Sequence, residues 1–305
     1  MLDICLLGTS GMLPLPDRYL TALLLRYGGK KVLIDCGEGT QVTMKILGWG
    51  YKSIDIICIT HYHGDHITGL AGLILTIGNS GRTEPLTIMG PPGLHKIVSG
   101  LLVICHDIPF KINLVELEMY KKTIQIDEFF ITAIPLNHKV PCLGYSVEIK
   151  RNAKFLVEKA EKNNVPQVAW RYLQQGDTVQ LDGQQYTPDM VLGDSRKGFK
   201  VSYITDTRPN EKIVEAVAQS DLFVCEGMYM DYSELEQVKK YKHMLGVEAA
   251  EMAKQACVKE LWLTHFSPAV PTSSLDITNV KQIFENTQLG TDRKTCTLIY
   301  SDEES

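Results

Sequence analysis

Apolar runs of four to eight residues recur along the chain, each closed by a polar or glycine residue, and most are too short to be helices. LDICLLG at 2–8, KVLIDCG at 31–37, DIICITHYH at 55–63, VSYITDT at 201–207, LFVCEG at 222–227 and LWLTHFS at 261–267 are the clearest. Between these runs the period changes to that of a helix: Leu70, Leu73, Ile74 and Ile77 share one face, as do Ile213, Val214 and Val217, and Val247, Ala250, Met252 and Ala253. Strands alternating with helices predict an α/β chain. At 44% hydrophobic and 22% charged residues, its 305 positions have the composition of an ordinary globular protein. The longest apolar stretch, Leu70 to Ile77, is interrupted by Gly72 and Thr76 and falls far short of the roughly 20 residues that span a bilayer. The N-terminus MLDICLLGTSG has no basic segment of a signal peptide, so a cytoplasmic protein without membrane contact is expected. Eight cysteines stand singly, mostly within apolar runs and with no C-x-x-C pair, as reduced core residues do.

The strands stop at residues of one chemical kind. Asp35, His61, Asp206, Glu226 and His265 each close an apolar run. Strands fix the positions of groups at their ends, so five such termini predict one rim carrying one site. The densest signal is HYHGDH at 61–66, with His61 and His63 two apart on an extended turn and Asp65 and His66 where a helix begins. Imidazole and carboxylate donors suit zinc, with manganese or iron as the other candidates. Four such ligands in one loop cannot all reach a single tetrahedral ion that also keeps a water, so two divalent ions per chain are expected. Candidates for the missing ligands are His138, Asp206 and His265. The expected division is His61, His63 and His138 around one ion, Asp65, His66 and His265 around the other, and Asp206 between them.

One segment departs from the rest. Residues 150–200 carry nine Lys/Arg against six Asp/Glu, a surplus of three in a chain of net charge −5, which leaves −8 on the remainder. A basic insertion on an acidic body reads either as a solvated helical hairpin or as a contact for a polyanion.

The motif HYHGDH, with His138, Asp206 and His265 downstream, resembles the metallo-β-lactamase superfamily. GTSGMLPLPDRYLT followed by LIDCGEGTQ, together with Glu226 and His243, resembles the ribonuclease Z family within it. The resemblance covers nearly the whole chain. It implies one domain over 1–305 with a four-layer αββα sandwich, and an inserted, protruding basic arm at 150–200 that grips tRNA. It implies endonucleolytic removal of the 3′ trailer from precursor tRNA, leaving a 3′-hydroxyl on the tRNA and a 5′-phosphate on the trailer. In that scheme Asp65 orients the attacking hydroxide, and His243, held by Glu226, protonates the leaving oxygen. Arg18, Lys154, Lys159, Lys162 and Arg171 are the implied substrate contacts, and a homodimer without a nucleotide cofactor is the implied assembly. Departures from the family pattern are Met244, Leu245 and Glu248 after His243, Pro16 in the first loop, and NVPQVAWRYLQQGD at the arm tip. Trp170, Arg171 and Tyr172 there form either a stacking surface or the arm's own packing. A phosphodiesterase for small or cyclic substrates and a non-catalytic RNA-binding relative are the readings that stand beside the endonuclease.

Overall fold

The computed structural model describes residues 1–300. Its first sheet begins with β1 (Leu2–Gly8), β2 (Ala22–Tyr27), β3 (Lys30–Ile34), β4 (Ile54–Cys58), β5 (Leu86–Gly90) and β6 (Ile112–Glu116). The second takes β7 (Lys122–Ile126), β8 (Phe129–Pro135) and β9 (Leu143–Arg151). A small hairpin, β10 (Val179–Leu181) and β11 (Gln184–Tyr186), lies in the insertion that follows. The second sheet then resumes with β12 (Arg196–Ile204), β13 (Leu222–Glu226), β14 (Leu261–Thr264) and β15 (Thr287–Leu289), and β16 (Thr295–Leu298) returns to the first. The strand orders are β16-β1-β2-β3-β4-β5-β6 and β15-β14-β13-β12-β9-β8-β7.

Why the strands read as continuous apolar runs is visible in β2. Leu23 and Leu25 enter the core between the two sheets, where they meet Tyr145, Val147 and Tyr203 of the second sheet. Leu24, one position out of phase, lies in the core between the first sheet and the helices Thr40–Leu47, Leu70–Asn79 and Leu94–Leu101. A third core packs Phe223, Cys225, Leu261 and Leu263 under the helices Glu211–Val217, Leu235–Tyr241 and Gly246–Gln255. Sheets buried on both faces and flanked by helices give the four αββα layers. All three periodic segments read from the sequence are helices, and Leu70, Leu73, Ile74 and Ile77 are fully buried.

Topology places the site. Strands β3 to β6 run parallel, as do β12 to β15, so their carboxyl ends open onto a common rim. Because β8 and β12 are both antiparallel to β9, the end of β8 reaches the same rim. Strand β9 runs the other way. The chain therefore leaves β9 at Arg151 and enters β12 at Arg196, its paired position, on the rim opposite the site.

The insertion is narrower than the charge pattern marked. It comprises residues 152–195, with helices Val157–Lys162 and Gln167–Gln175 and the β10–β11 hairpin around Ala160, Val165, Ala169, Leu173, Tyr186 and Val191. Within it four Lys/Arg face six Asp/Glu, a net charge of −2. The positive surplus belongs instead to the flanking strands, on Lys150, Arg151, Arg196, Lys197 and Lys200.

Candidate metal centre

Most residues of the cluster stand just past a strand end, Asp65 and His66 standing instead in the short helix Gly64–Ile67 that follows β4, and three are in a conformation L-residues rarely adopt. Asp35, Asp206 and His265 have φ of 60°, 56° and 56°. Left-handed backbone at Asp and His turns the chain sharply after the strand and aims the side chain into the rim, the kind of local strain that gathers at functional sites.

His61, His66 and His265 are fully buried, Asp206 and His138 nearly so, and His63 is half-buried. Their nitrogens face one another: His61 Nε2 lies 2.9 Å from His63 Nδ1, His138 Nε2 3.3 Å from the same atom, and His66 Nε2 3.2 Å from His265 Nε2. The Asp206 carboxylate reaches both groups, with Oδ1 3.8 Å from His61 Nε2 and Oδ2 3.2 Å from His66 Nε2 and 3.4 Å from His265 Nε2. Asp65 Oδ2 lies 3.5 and 3.4 Å from His66 and His265 Nε2. Donor atoms thus fall into two sets, His61, His63, His138 and Asp206, and Asp65, His66 and His265, with Asp206, His243 and His265 as a third overlapping set.

Whether such a centre fits a cation can be read from its unmatched atoms. Among the described residues Asp206 Oδ2 is buried with no hydrogen-bond partner, and the imidazole nitrogens of His61 and His63, and of His66 and His265, face one another across 2.9 and 3.2 Å. A buried carboxylate oxygen without a partner is costly unless a positive charge fills the space. The donors are His and Asp only, a set that suits a borderline or hard divalent ion. The residues fit divalent metal.

Behind the cluster, Asp35 takes the Nδ1 proton of His66 at 2.7 Å and accepts from Thr60 N and Oγ1 at 2.8 and 3.0 Å. That fixes the tautomer leaving His66 Nε2 free to bind. Burial pushes the Asp35 carboxyl up against the opposing pull of His66, while burial drives the His61 imidazole well below its ordinary value and His138 down to about 4. Those two rings are held neutral, the form that ligates metal. Burial opposes charge on Asp65 and Asp206 too, but the surrounding imidazoles outweigh it and hold both carboxyls below the usual range.

At the edge of the cluster sits His243. Its Nδ1 donates to the buried Glu226 Oε2 at 2.9 Å, and Glu226 Oε1 accepts from Thr207 N at 2.7 Å. Burial works against the imidazolium, yet Glu226 and then Asp206 lift it to about 9. Unlike His61 and His138, this ring carries its proton at neutral pH. Its backbone is clamped as well: Arg208 Nη1 donates to His243 O at 2.6 Å and to Glu248 Oε2 at 2.9 Å, with a second Arg208–Glu248 contact beside it. Glu248 also accepts from Leu245 N at 2.9 Å, closing the start of the helix Gly246–Gln255. An open cavity of about 420 Å³ adjoins His63, His138 and His243 and is walled mainly by apolar and aromatic side chains, among them Met228, Tyr229 and Tyr241.

The first loop belongs to the centre. Met12 N donates to Asp65 Oδ2 at 2.7 Å, and a Cβ at Gly11 would stand 2.8 Å from the His265 ring. Arg18, expected at the substrate, does not face it. It is 2% exposed and donates to Ser267 O and Val270 O at 2.9 and 3.2 Å, so it shapes the loop after His265 from inside. Lys154, Lys162 and Arg171 are exposed on the insertion, far from the rim, and Lys159 is spent on Leu192 O at 2.7 Å. Trp170 packs inward, its Nε1 on Val165 O and its ring 5.1 Å from Phe155, whereas Tyr172 is half exposed. The sequence marks Asp35 only as a strand end and Glu248 only as a departure from the family pattern, and it gives no sign that Gly11, Met12 and Arg208 belong to the site.

A family model described as Anti-Pycsar protein Apyc1 matches residues 2–98. The chain is 53% identical to a protein named Ribonuclease Z from Agathobacter rectalis, over 99% of this chain and 100% of that one. It is 54% identical to another of that name from Clostridium kluyveri, over 96% and 97%. Among solved structures, the short form of human tRNase Z superposes with a TM-score of 0.71 at 24% identity, over 98% of this chain and all of the other. A metallo-β-lactamase fold protein from Bacillus subtilis gives 0.69 at 18%, over 97% and 100%. These two establish the metallo-β-lactamase fold, and half-identity over full length establishes more: the chain belongs to the ribonuclease Z family.

Proposed function

We propose that the protein is a metal-dependent endoribonuclease that cuts the phosphodiester joining the 3′ trailer to precursor tRNA. The observation that carries the reading is His243, a protonated imidazole seated on a buried carboxylate at the edge of the His/Asp cluster, in which burial holds His61 and His138 neutral. A ribose 3′ oxygen leaves poorly as an alkoxide, so such a substrate needs a proton donor beside the electrophilic centre. Full-length likeness to proteins named Ribonuclease Z supports the choice of substrate.

His61, His63 and His138, with Asp65, His66 and His265 opposite and Asp206 shared, would hold two divalent ions, zinc being the best match to the donors. Two such ions supply Lewis acidity, making water acidic enough to attack at neutral pH and offsetting negative charge on the phosphoryl oxygens. Asp65, fixed by the Met12 amide, accepts a hydrogen bond from the attacking water and orients it. His243 gives its proton to the leaving 3′ oxygen, and Glu226 stabilises the ring through the transfer. The products are a 3′-hydroxyl on the tRNA and a 5′-phosphate on the trailer.

The insertion forms a separate arm, 152–195, with its own core, on one catalytic body. Rooted on the rim opposite the metal centre, it is poorly placed to hold RNA at its own site, which supports a two-fold homodimer in which each arm serves the partner's site. No described helix is long and apolar enough to cross a membrane, and the cytoplasm is where such a substrate is met. Incubating the metal-loaded protein with labelled precursor tRNA and, in parallel, with bis-nitrophenyl phosphate tests the reading. Cleavage of both is expected; turnover of the small ester alone would return the preference to a small-molecule phosphodiesterase.

A further inference from the structure

The positive surplus of the 150–200 segment lies where the strands end, and there it meets open space. Lys150, Arg151 and Arg196 stand on the wall shared by two adjoining grooves of about 430 and 680 Å³. The acids around them are taken by other cations. Glu148 lies 3.8 Å from Lys200, Asp127 and Glu128 lie 2.8 and 3.4 Å from Lys30, and Asp221 lies 3.6 and 2.9 Å from Lys197 and Lys259. Among the described residues, none of the three wall cations has a carboxylate partner. Each is instead steadied from behind. The Lys150 ammonium sits 4.0 Å over the Phe130 ring, and the Arg151 guanidinium 4.4 Å over Tyr300, itself stacked on Phe199 at 4.2 Å. Arg196 Nε donates to Asn152 O at 2.7 Å. Among the described residues, Arg151 Nη1 is buried with no hydrogen-bond acceptor. Three held, unpaired cations along a groove lack only an anion.

We propose that this root of the arm, and not its helices, is the main electrostatic contact with the phosphate backbone of the RNA substrate. The inference rests on the endoribonuclease reading and adds to it where the RNA is held. Two grooves meeting at one charged wall suit an extended polyanion better than a single small ion. Strand β12 separates this root from the metal rim of the same chain by eight residue steps or about 26 Å, so the root contacts phosphates remote from the bond that is cut. The insertion as a whole, at net charge −2, by contrast repels phosphate and leaves the arm to contact by shape. Cations borne on paired strands are also better fixed than those on a mobile loop.

Binding of precursor tRNA as a function of salt tests the proposal. Each phosphate neutralised adds about 0.7 to 0.9 to the slope of log affinity against log salt, so K150A/R151A/R196A should flatten that slope by about 2 to 3 and weaken binding tenfold or more. Hydrolysis of bis-nitrophenyl phosphate should be unchanged, which shows that the variant is folded and its metal centre intact. R151K/R196K, which keeps the charge, should keep the slope. K154A/K162A/R171A, on the helices, should leave it within one unit. Asp302, Glu303 and Glu304 follow Tyr300 in the sequence, so the measurement is made both on the full chain and on one ended at Tyr300. Unchanged affinity and slope for the root variant in both chains, or a loss that follows the helix variant instead, would overturn the proposal. If the unsubstituted protein cuts precursor tRNA regardless, the endoribonuclease reading stands while the root contact falls.

Discussion

His243 and His138 show how one residue type is set to two tasks by its surroundings. Burial among other imidazoles lowers His138 to about 4, whereas Glu226 raises His243 to about 9. His243→Ala should therefore keep its metal and lose about 10²- to 10⁴-fold in turnover of precursor tRNA, the usual worth of a general acid. The loss should shrink on bis-nitrophenyl phosphate, whose leaving group needs no proton; equal losses would assign His243 another role. As a donor, His243 acts in its protonated form, so activity falls as pH rises through its pKa. Bound cations nearby repel that proton and place the alkaline limb below the 9 of the bare centre, and the limb should vanish in His243→Ala. Asp206 serves both donor sets, so elemental analysis should find about two divalent ions per chain and loss of most of both in Asp206→Ala. Fewer than two in protein never exposed to chelator would contradict the two-ion scheme. The histidines and acids of the cluster were legible because chemistry of this kind collects at strand ends. Asp35 as the anchor of His66 was not, since its role appears only when the ends of β3 and β4 lie side by side.

At the scale of elements, the apolar runs foretold strands well because burial on both faces leaves an unbroken signature. What they could not foretell are contacts between loops distant in sequence. The first loop, legible only as a family motif, turns out to press Gly11 against His265 and Met12 against Asp65. Gly11→Ala should displace the His265 ring and weaken metal retention at least tenfold by competition with a chelator, while the fold remains; undiminished retention would show that the loop yields. Arg18 misled because a charged residue in a polar loop reads as exposed, whereas the carbonyls of Ser267 and Val270 draw it inward. The Arg208–Glu248 clamp ties the loop after β12 to the helix after His243. Removing one partner of a largely buried pair strands the other, so Glu248→Ala should cost about 3 kcal/mol in urea unfolding. A change below about 1 kcal/mol would mean that water replaces the carboxylate there.

For the whole molecule, charge rather than hydrophobicity was the incomplete signal. Counting from 150 to 200 found the right segment, but the surplus could be assigned to strand ends only once β9 and β12 had bounds. With the arm rooted opposite the metal rim, light scattering should give a dimer's mass at working concentration, and a monomer would remove the support for shared sites. The claim on which everything else depends is that this centre hydrolyses one bond in precursor tRNA and leaves the oxygen that His243 protonates. Mapping the ends made from a 5′-labelled precursor by the metal-loaded protein tests it directly. A single tRNA-length product ending in a 3′-hydroxyl that a poly(A) polymerase extends is the expected result, whereas no cleavage, or a product ending in a 3′-phosphate or cyclic phosphate, would contradict it.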